Sequence, residues 1–328
     1  YSSPAADPSE GAWRKSDRGI AESPTDWSSW KFPRWQFQFL QSCKRAWDAH
    51  HEGEGPMPYW TWEATNCTLE AVDATDFCLA VEGRKGVLLV GDSLSRLATT
   101  TLASILRAKN IWADRTRDVW SACEGELTVG FLRNDYLDTR AEEFEADICK
   151  DSKGEPAENT MCVVFADDDT LEKYDTLVVN SGAHYRQARE YGSAMELASE
   201  VLADSMRRLH GDDALLVVRN TPPGHSGCTE RMFNGPVGAE AAGKLVDAAP
   251  DKYHWSSFDE HNMLLRDAFK ATDGWVLLDA YSPTVLRSDA HIGGGDCLHY
   301  CVPGPADHWI ALLYNIIVAA KQKKEGQR

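Results

Sequence analysis

The apolar positions fall into two alternating rhythms from residue 86 onward. Residues 86–90 (Gly-Val-Leu-Leu-Val) form a short continuous apolar run that ends at Gly91. That is the pattern of a strand buried on both faces. Residues 94–108 follow with helical spacing. Residues 126–132 and 176–179 predict strands, 193–209 a helix, and 214–218 another buried strand. A helix over 257–269 and a strand over 275–278 come next. A closing amphipathic helix is expected over 306–320, with Pro305 and Asp307 near its start and Lys321, Lys323 and Lys324 near its end. The helix dipole favours that distribution. Strands alternating with helices predict a three-layer α/β sandwich, with a largely parallel central sheet flanked by helices. Ligands in such folds sit outside the carboxyl ends of the strands, so the chemistry is sought there.

The flanks differ. Residues 1–35 are rich in Ser, Pro, Asp and Trp without a period. They predict an irregular N-terminal stem or wrapping segment, which leaves 36–328 as a single domain. Residues 150–160 look like an exposed loop between Cys149 and Cys162. No stretch of about 18 apolar residues occurs, so no membrane contact by this fragment itself is expected. The chain begins at Tyr1 without an initiator Met, as a processed or truncated form would.

Charge narrows the partners. Lys and Arg total 34 against 51 Asp and Glu, a net of −17. That balance argues against a nucleic-acid backbone, whose binding needs cations to neutralise phosphates. A neutral substrate fits it, as does a locally basic cleft. The nine cysteines contain no CxxC pair, which disfavours a zinc ribbon or a thioredoxin-like site. Scattered cysteines predict a disulfide-braced protein of the secretory pathway, with buried small hydrophobes as the alternative for some of them; because nine is odd, at least one thiol stays free or pairs with another chain. Asn66-Cys67-Thr68 is a glycosylation sequon that agrees.

Two segments carry candidate chemistry. In residues 87–96 an apolar strand runs straight into Gly91-Asp92-Ser93, and a helix follows. Ser93 thus stands at a strand end and a helix N-terminus, where backbone N–H groups stabilise a developing oxyanion. The bland alternative makes Ser93 a helix N-cap. Near the C-terminus, Asp296 and His299 stand three apart in Gly-Asp-Cys-Leu-His-Tyr-Cys. A nucleophilic serine needs a base, and the base needs an orienting acid; this segment supplies both. Asp289 and His291 raise a metal alternative, but no further ligands have recognisable spacing, so no metal is expected.

Taken together, these motifs resemble the PC-esterase branch of the SGNH hydrolase superfamily, which holds the plant trichome birefringence-like polysaccharide O-acetyltransferases. The resemblance spans roughly residues 59 to 314. Its fragments are 59–67, 84–96, 178–185, 218–225, 277–291 and 296–303, in the family's order. It implies an SGNH-like fold with Ser93 as nucleophile, His299 as general base and Asp296 as its orienter. It also makes Asn180 and the Ser93 N–H the oxyanion donors, although a strand-end turn residue is the alternative for Asn180. The usual glycine donor is not identifiable; Gly125 and Gly130 are weak candidates. Arg96, His184, Arg219, His225 and His291 become substrate-cleft candidates, each with a structural role as the alternative.

The resemblance further implies disulfides Cys228–Cys297 and Cys43–Cys301, bracing the Asp296–His299 segment. Cys67–Cys78 and Cys149–Cys162 are short-loop expectations that leave Cys123 over. The implied activity is acetyl transfer from an acetyl donor, as co-substrate, to a polysaccharide or oligosaccharide acceptor, with no bound cofactor. The implied location is the Golgi lumen, membrane-anchored in a full-length form, or outside the cell. An acetylesterase with the same triad and a catalytically silent glycan-binding protein on this fold are the alternatives. The chain departs from the plant pattern at Trp62-Glu63, at Ala183 between Gly182 and His184, and at Tyr300, where a Trp is usual.

Overall fold

A computed structural model describes residues 10–25, 37–139, 162–248, 251 and 253–326. In chain order its elements are β1 (Gly11–Lys15), α1 (Phe37–His50), β2 (Trp60–Ala64), α2 (Ala74–Ala80), β3 (Gly86–Gly91), α3 (Ser93–Ile105), β4 (Lys109–Ala113), β5 (Arg117–Ala122) and β6 (Leu127–Arg133). There follow α4 (Asp168–Leu171), β7 (Thr176–Val179), α5 (Ala188–His210), β8 (Leu215–Arg219), α6 (Cys228–Arg231), α7 (Ala239–Asp247), α8 (Phe258–Lys270) and β9 (Trp275–Leu278). The last are α9 (Tyr281–Thr284), β10 (His291–Gly293), β11 (Asp296–Tyr300) and α10 (Pro305–Glu325).

Seven strands form the central sheet in the order β4-β5-β6-β3-β7-β8-β9. The strands β6, β3, β7, β8 and β9 run parallel, while β5 is antiparallel to both of its neighbours. The continuous apolar runs explain the layering. Val87 and Leu89 of β3 and Val217 of β8 face a core shared with α3 and α10. Leu88, Val90, Leu216 and Val218 point the other way, into a core built on α5 and α8. A strand buried on both faces has no polar side to show, which is why these segments read as unbroken apolar stretches. The expected three-layer α/β sandwich is present.

After β3 the chain turns to one side for β4, β5 and β6, then returns to the other side for β7. The reversal places a topological switch point at the carboxyl end of β3, where Ser93 lies.

The pattern predicted no counterpart for helices α1, α2 and α7, nor for three small β features. One is a two-stranded ribbon of β1 and β2, which brings residues 11–15 of the expected wrapping segment onto the domain. The second is the β4–β5 hairpin at the sheet edge, whose Ile111 and Trp112 are exposed. The third, β10–β11, carries Asp296 and His299.

The disulfides correct one expectation. Cys43–Cys301 and Cys228–Cys297 form as expected. Cys67–Cys78 does not: Cys78 pairs with Cys123, and Cys67 is a free thiol among the described residues. Sequence proximity misled here, because Cys78 lies inside α2 and packs, with Cys123, against the core beneath β5 and β6. Cys162 is disulfide-bonded, while Cys149 and the loop 150–160 lie outside the described residues. Asn66 is exposed just past β2 and donates to Glu10 at 2.8 Å.

Candidate active site

Buried β3 delivers Gly91, Asp92 and Ser93 to the switch point. Gly91 is required there: a Cβ would collide with the Asn180 carbonyl and the Ser95 hydroxyl. The N-cap of α3 is Asp92, whose Oδ1 accepts the Leu94 N–H at 2.8 Å. The N-cap reading of Ser93 is therefore corrected by one residue. With the cap role filled by its neighbour, the Ser93 hydroxyl is free for other work. As the first helical residue, Ser93 also has no intrahelical acceptor for its own N–H.

The base arrives from the far end of the chain. His299 Nε2 lies 2.7 Å from Ser93 Oγ, across 206 residues of sequence. Its Nδ1 is 2.8 Å from Asp296 Oδ2. Asp296 Oδ1 in turn accepts the backbone N–H groups of His299 at 3.0 Å and Leu298 at 3.2 Å. Burial alone would raise the Asp296 carboxyl. The His299 ring and these backbone donors outweigh it and hold the carboxyl down at about 2. Asp296 is thus a carboxylate throughout the neutral range. It fixes the His299 tautomer with hydrogen on Nδ1 and the lone pair of Nε2 facing the serine. Cys297, between them, is bonded to Cys228 on α6, and Cys301 just beyond is bonded to Cys43 on α1.

The remaining expected residues divide differently. Asn180 is buried, and its amide donates to the Arg219 carbonyl and to Thr221 Oγ1, both at 2.9 Å. Both amide hydrogens are committed, so Asn180 has no free donor for an oxyanion in this arrangement. The strand-end reading is the one its contacts match. Arg96, Arg219, His225 and His291 are corrected as substrate contacts, because all four are buried and engaged within the protein. Arg96 forks onto Asp118 at 2.9 Å and reaches the carbonyls of Arg115 and Asp114. Arg219 donates through Nη2 to Asn180 Oδ1 at 2.7 Å and to Ser95 Oγ at 3.2 Å, with its guanidinium over Trp309. Burial lowers it to about 10 against the pull of Asp92. His225 and His291 bond to one another at 2.7 Å. His184 alone of this group keeps a partly exposed side chain, 3.5 Å from Asp135 Oδ2.

Asp289, part of the metal alternative, is held by Arg287 at 2.8 and 3.1 Å. Among the described residues no group of three or more His, Cys, Asp or Glu is placed to hold a metal. The sequence reading missed Arg133 and Asp135, which form a forked pair at the carboxyl end of β6 with His184 beside it. The signal was the charged Arg-Asn-Asp that ends an otherwise apolar strand. It also missed a recess of about 430 Å³ beside the first turn of α10. Buried Trp13, Tyr59 and Trp62 line it, and exposed Thr61, Glu70 and Asp73 stand at its rim.

This geometry accords with the relatives found by comparison. Trichome birefringence-like 41 of Arabidopsis thaliana is 24% identical over 311 residues, covering 84% of this chain and 82% of the relative. The chain is a relative of the trichome birefringence-like proteins. Xyloglucan O-acetyltransferase 1 of the same plant is 21% identical, over 84% of this chain and 73% of its own length. A probable xylan O-acetyltransferase 9 of Oryza sativa subsp. japonica is 24% identical, over 81% and 70%. No protein-family model matches the chain. The relationship to the trichome birefringence-like proteins therefore rests on low-identity similarity over about four fifths of the chain.

Proposed function

We propose that this chain is an SGNH-type O-acetyltransferase that moves an acetyl group onto a polysaccharide or glycan hydroxyl through an acetyl-Ser93 intermediate. One observation carries the reading: Ser93, His299 and Asp296 form an unbroken hydrogen-bonded line at the switch point of a parallel sheet.

The steps follow from the donors and acceptors present. His299 Nε2 takes the Ser93 proton as Oγ attacks the carbonyl carbon of an acetyl ester. The carbonyl oxygen becomes an oxyanion, and the unpaired Ser93 N–H at the start of α3 stabilises it. The tetrahedral adduct collapses, and the imidazolium returns its proton to the departing alkoxide. An acceptor hydroxyl then gives its proton to His299 and attacks acetyl-Ser93. The product ester leaves, and Ser93 regains a proton from His299. Asp296 stays ionised and stabilises the imidazolium in both half-reactions.

Water in place of the sugar hydroxyl would make the same triad an acetylesterase. What favours transfer is the naming of relatives for polysaccharide O-acetylation. The disulfides support a secretory-pathway location, with the Golgi lumen as the specific reading. No helix among the described residues is long and apolar enough to cross a membrane.

The test is intact-mass spectrometry after incubation with a small activated acetyl ester, with and without a panel of oligosaccharides. One acetyl on Ser93 that passes to an oligosaccharide is expected. An adduct that only hydrolyses supports the esterase. Ser93→Ala should form no adduct, and an unchanged adduct in that variant overturns the assignment.

A further inference from the structure

The glycosylation sequon at residues 66–68 has no part in the triad, and the fold leaves it open. The backbone is tied at Thr65, one residue beyond the β1–β2 ribbon, where the N–H donates to the Glu10 carbonyl at 2.7 Å. It is tied again at Glu70, whose N–H donates to Asn315 Oδ1 on α10 at 2.9 Å. Asn66, Cys67 and Thr68 lie between these anchors, outside any helix or strand. Asn66 and Thr68 are both exposed. Because the anchors hold only the ends of the link, its middle can change shape without breaking a ribbon bond or a helix.

An acceptor of an N-linked oligosaccharide must offer three things: an asparagine amide with a hydrogen to lose, a Ser or Thr hydroxyl two residues on, and room for the transferase. Asn66 supplies the first. Its Nδ2 carries two hydrogens, and one goes to Oε2 of exposed Glu10 at 2.8 Å. A sugar can replace the other while the Glu10 bond stays, so the modification removes no hydrogen bond from the fold. Thr68 supplies the second, with its side chain in solvent. The third depends on Cys67. A Cys67–Cys78 disulfide would have clamped the sequon at its centre against α2. Cys78 pairs instead with Cys123, and Cys67 is a free thiol among the described residues. The observed pairing leaves the acceptor unclamped.

We propose that Asn66 is a modification site that carries an N-linked glycan. The donor is an oligosaccharide held on a lipid pyrophosphate, and a membrane-bound oligosaccharide transferase of the secretory pathway presents it. A bond forms between Asn66 Nδ2 and the anomeric carbon of the first sugar as the bond from that carbon to the pyrophosphate oxygen breaks. The lipid pyrophosphate leaves with that electron pair, and Nδ2 gives up one proton. The site rests on the secretory-pathway location, which the disulfides support, and not on the triad.

The test is to secrete the chain from a eukaryotic cell behind a cleavable signal sequence and read its mass before and after peptide N-glycosidase. That enzyme releases the glycan and converts the carrying asparagine to aspartate. A loss of mass on treatment is expected, with the conversion mapped to Asn66. Asn66→Gln should be secreted without the glycan. Thr68→Ala, which leaves the Glu10 bond in place, should also lack it, and it serves alone if Asn66→Gln does not fold. Thr68→Ser keeps the hydroxyl and should keep the glycan. Unmodified Asn66 in secreted protein whose Cys78–Cys123 bond has formed overturns the site and leaves the secretory-pathway reading standing. Unmodified Asn66 together with reduced cysteines overturns both. A glycan that persists in Asn66→Gln or Thr68→Ala overturns the assignment to this sequon. Glycosylated protein that forms no Ser93 adduct supports the site and counts against acyl transfer alone.

Discussion

Asp296 holds His299 at two points: Oδ2 is 2.8 Å from ring Nδ1, and Oδ1 takes the backbone N–H of the same residue at 3.0 Å. One carboxylate therefore sets both the tautomer and the place of the base on the hairpin. The three-residue spacing is what lets it do so.

Asp296→Asn should separate these roles. An amide can still accept the backbone N–H, so the hairpin persists. Its NH2 group favours the wrong imidazole tautomer, with hydrogen on Nε2 facing Ser93. The rate of acetyl-Ser93 formation should fall on the order of 10³–10⁴-fold with little change in melting temperature. Stopped-flow acetylation and calorimetry on one preparation check it. A loss under tenfold would mean the tautomer is set elsewhere.

The cysteine assignment has a direct chemical readout. Under native, non-reducing conditions an alkylating reagent should modify Cys67, the partly exposed free thiol, and leave Cys78 and Cys123 unlabelled. Peptide mapping decides this. Replacing Cys228 and Cys297 together by Ala should cost about 2–5 kcal/mol. Because Cys297 sits between Asp296 and His299, it should also slow acetylation, whereas loss of Cys78–Cys123 should lower stability alone.

Acid should destabilise the fold through rings that burial keeps neutral. Burial holds His225 at about 4 and His308 at about 3. In the unfolded chain both rings take a proton near 6.5. From about pH 6.5 downward the unfolded state therefore binds protons that the folded state refuses. The stability these rings contribute is complete above pH 6.5 and is lost as pH falls, by at most about 1.4 kcal/mol per pH unit per ring. Asp307, which burial raises to about 6, has the opposite sign between about 4 and 6. His308→Phe isolates one ring. His308 Nε2 has no hydrogen-bond partner, and Trp13 and Trp62 flank the ring, so a phenyl group fits. Denaturant midpoints measured between pH 7 and 4 should fall less steeply in this variant. Parallel curves would refute the assignment.

The local pattern alone determined much of this protein. Unbroken apolar runs such as 86–90 and 215–218 cannot be exposed on either face, so they had to be central parallel strands, and the chemistry had to lie at their carboxyl ends. Gly91-Asp92-Ser93 and Asp296-x-x-His299 were legible because a nucleophile at a helix start and an acid three residues from its base are short-range arrangements. What crosses the chain was decided only by the tertiary structure. Ser93 and His299 are 206 residues apart, and nothing local sets their 2.7 Å contact. Cys78 chose Cys123 over nearby Cys67 because helix packing, not loop length, brings sulfurs together. Arg96, Arg219, His225 and His291 have the residue types of a binding cleft, yet they face inward. A polar side chain carries no mark of which way it points. Only the packed layers around it decide whether it meets a substrate or holds in place the residues that do.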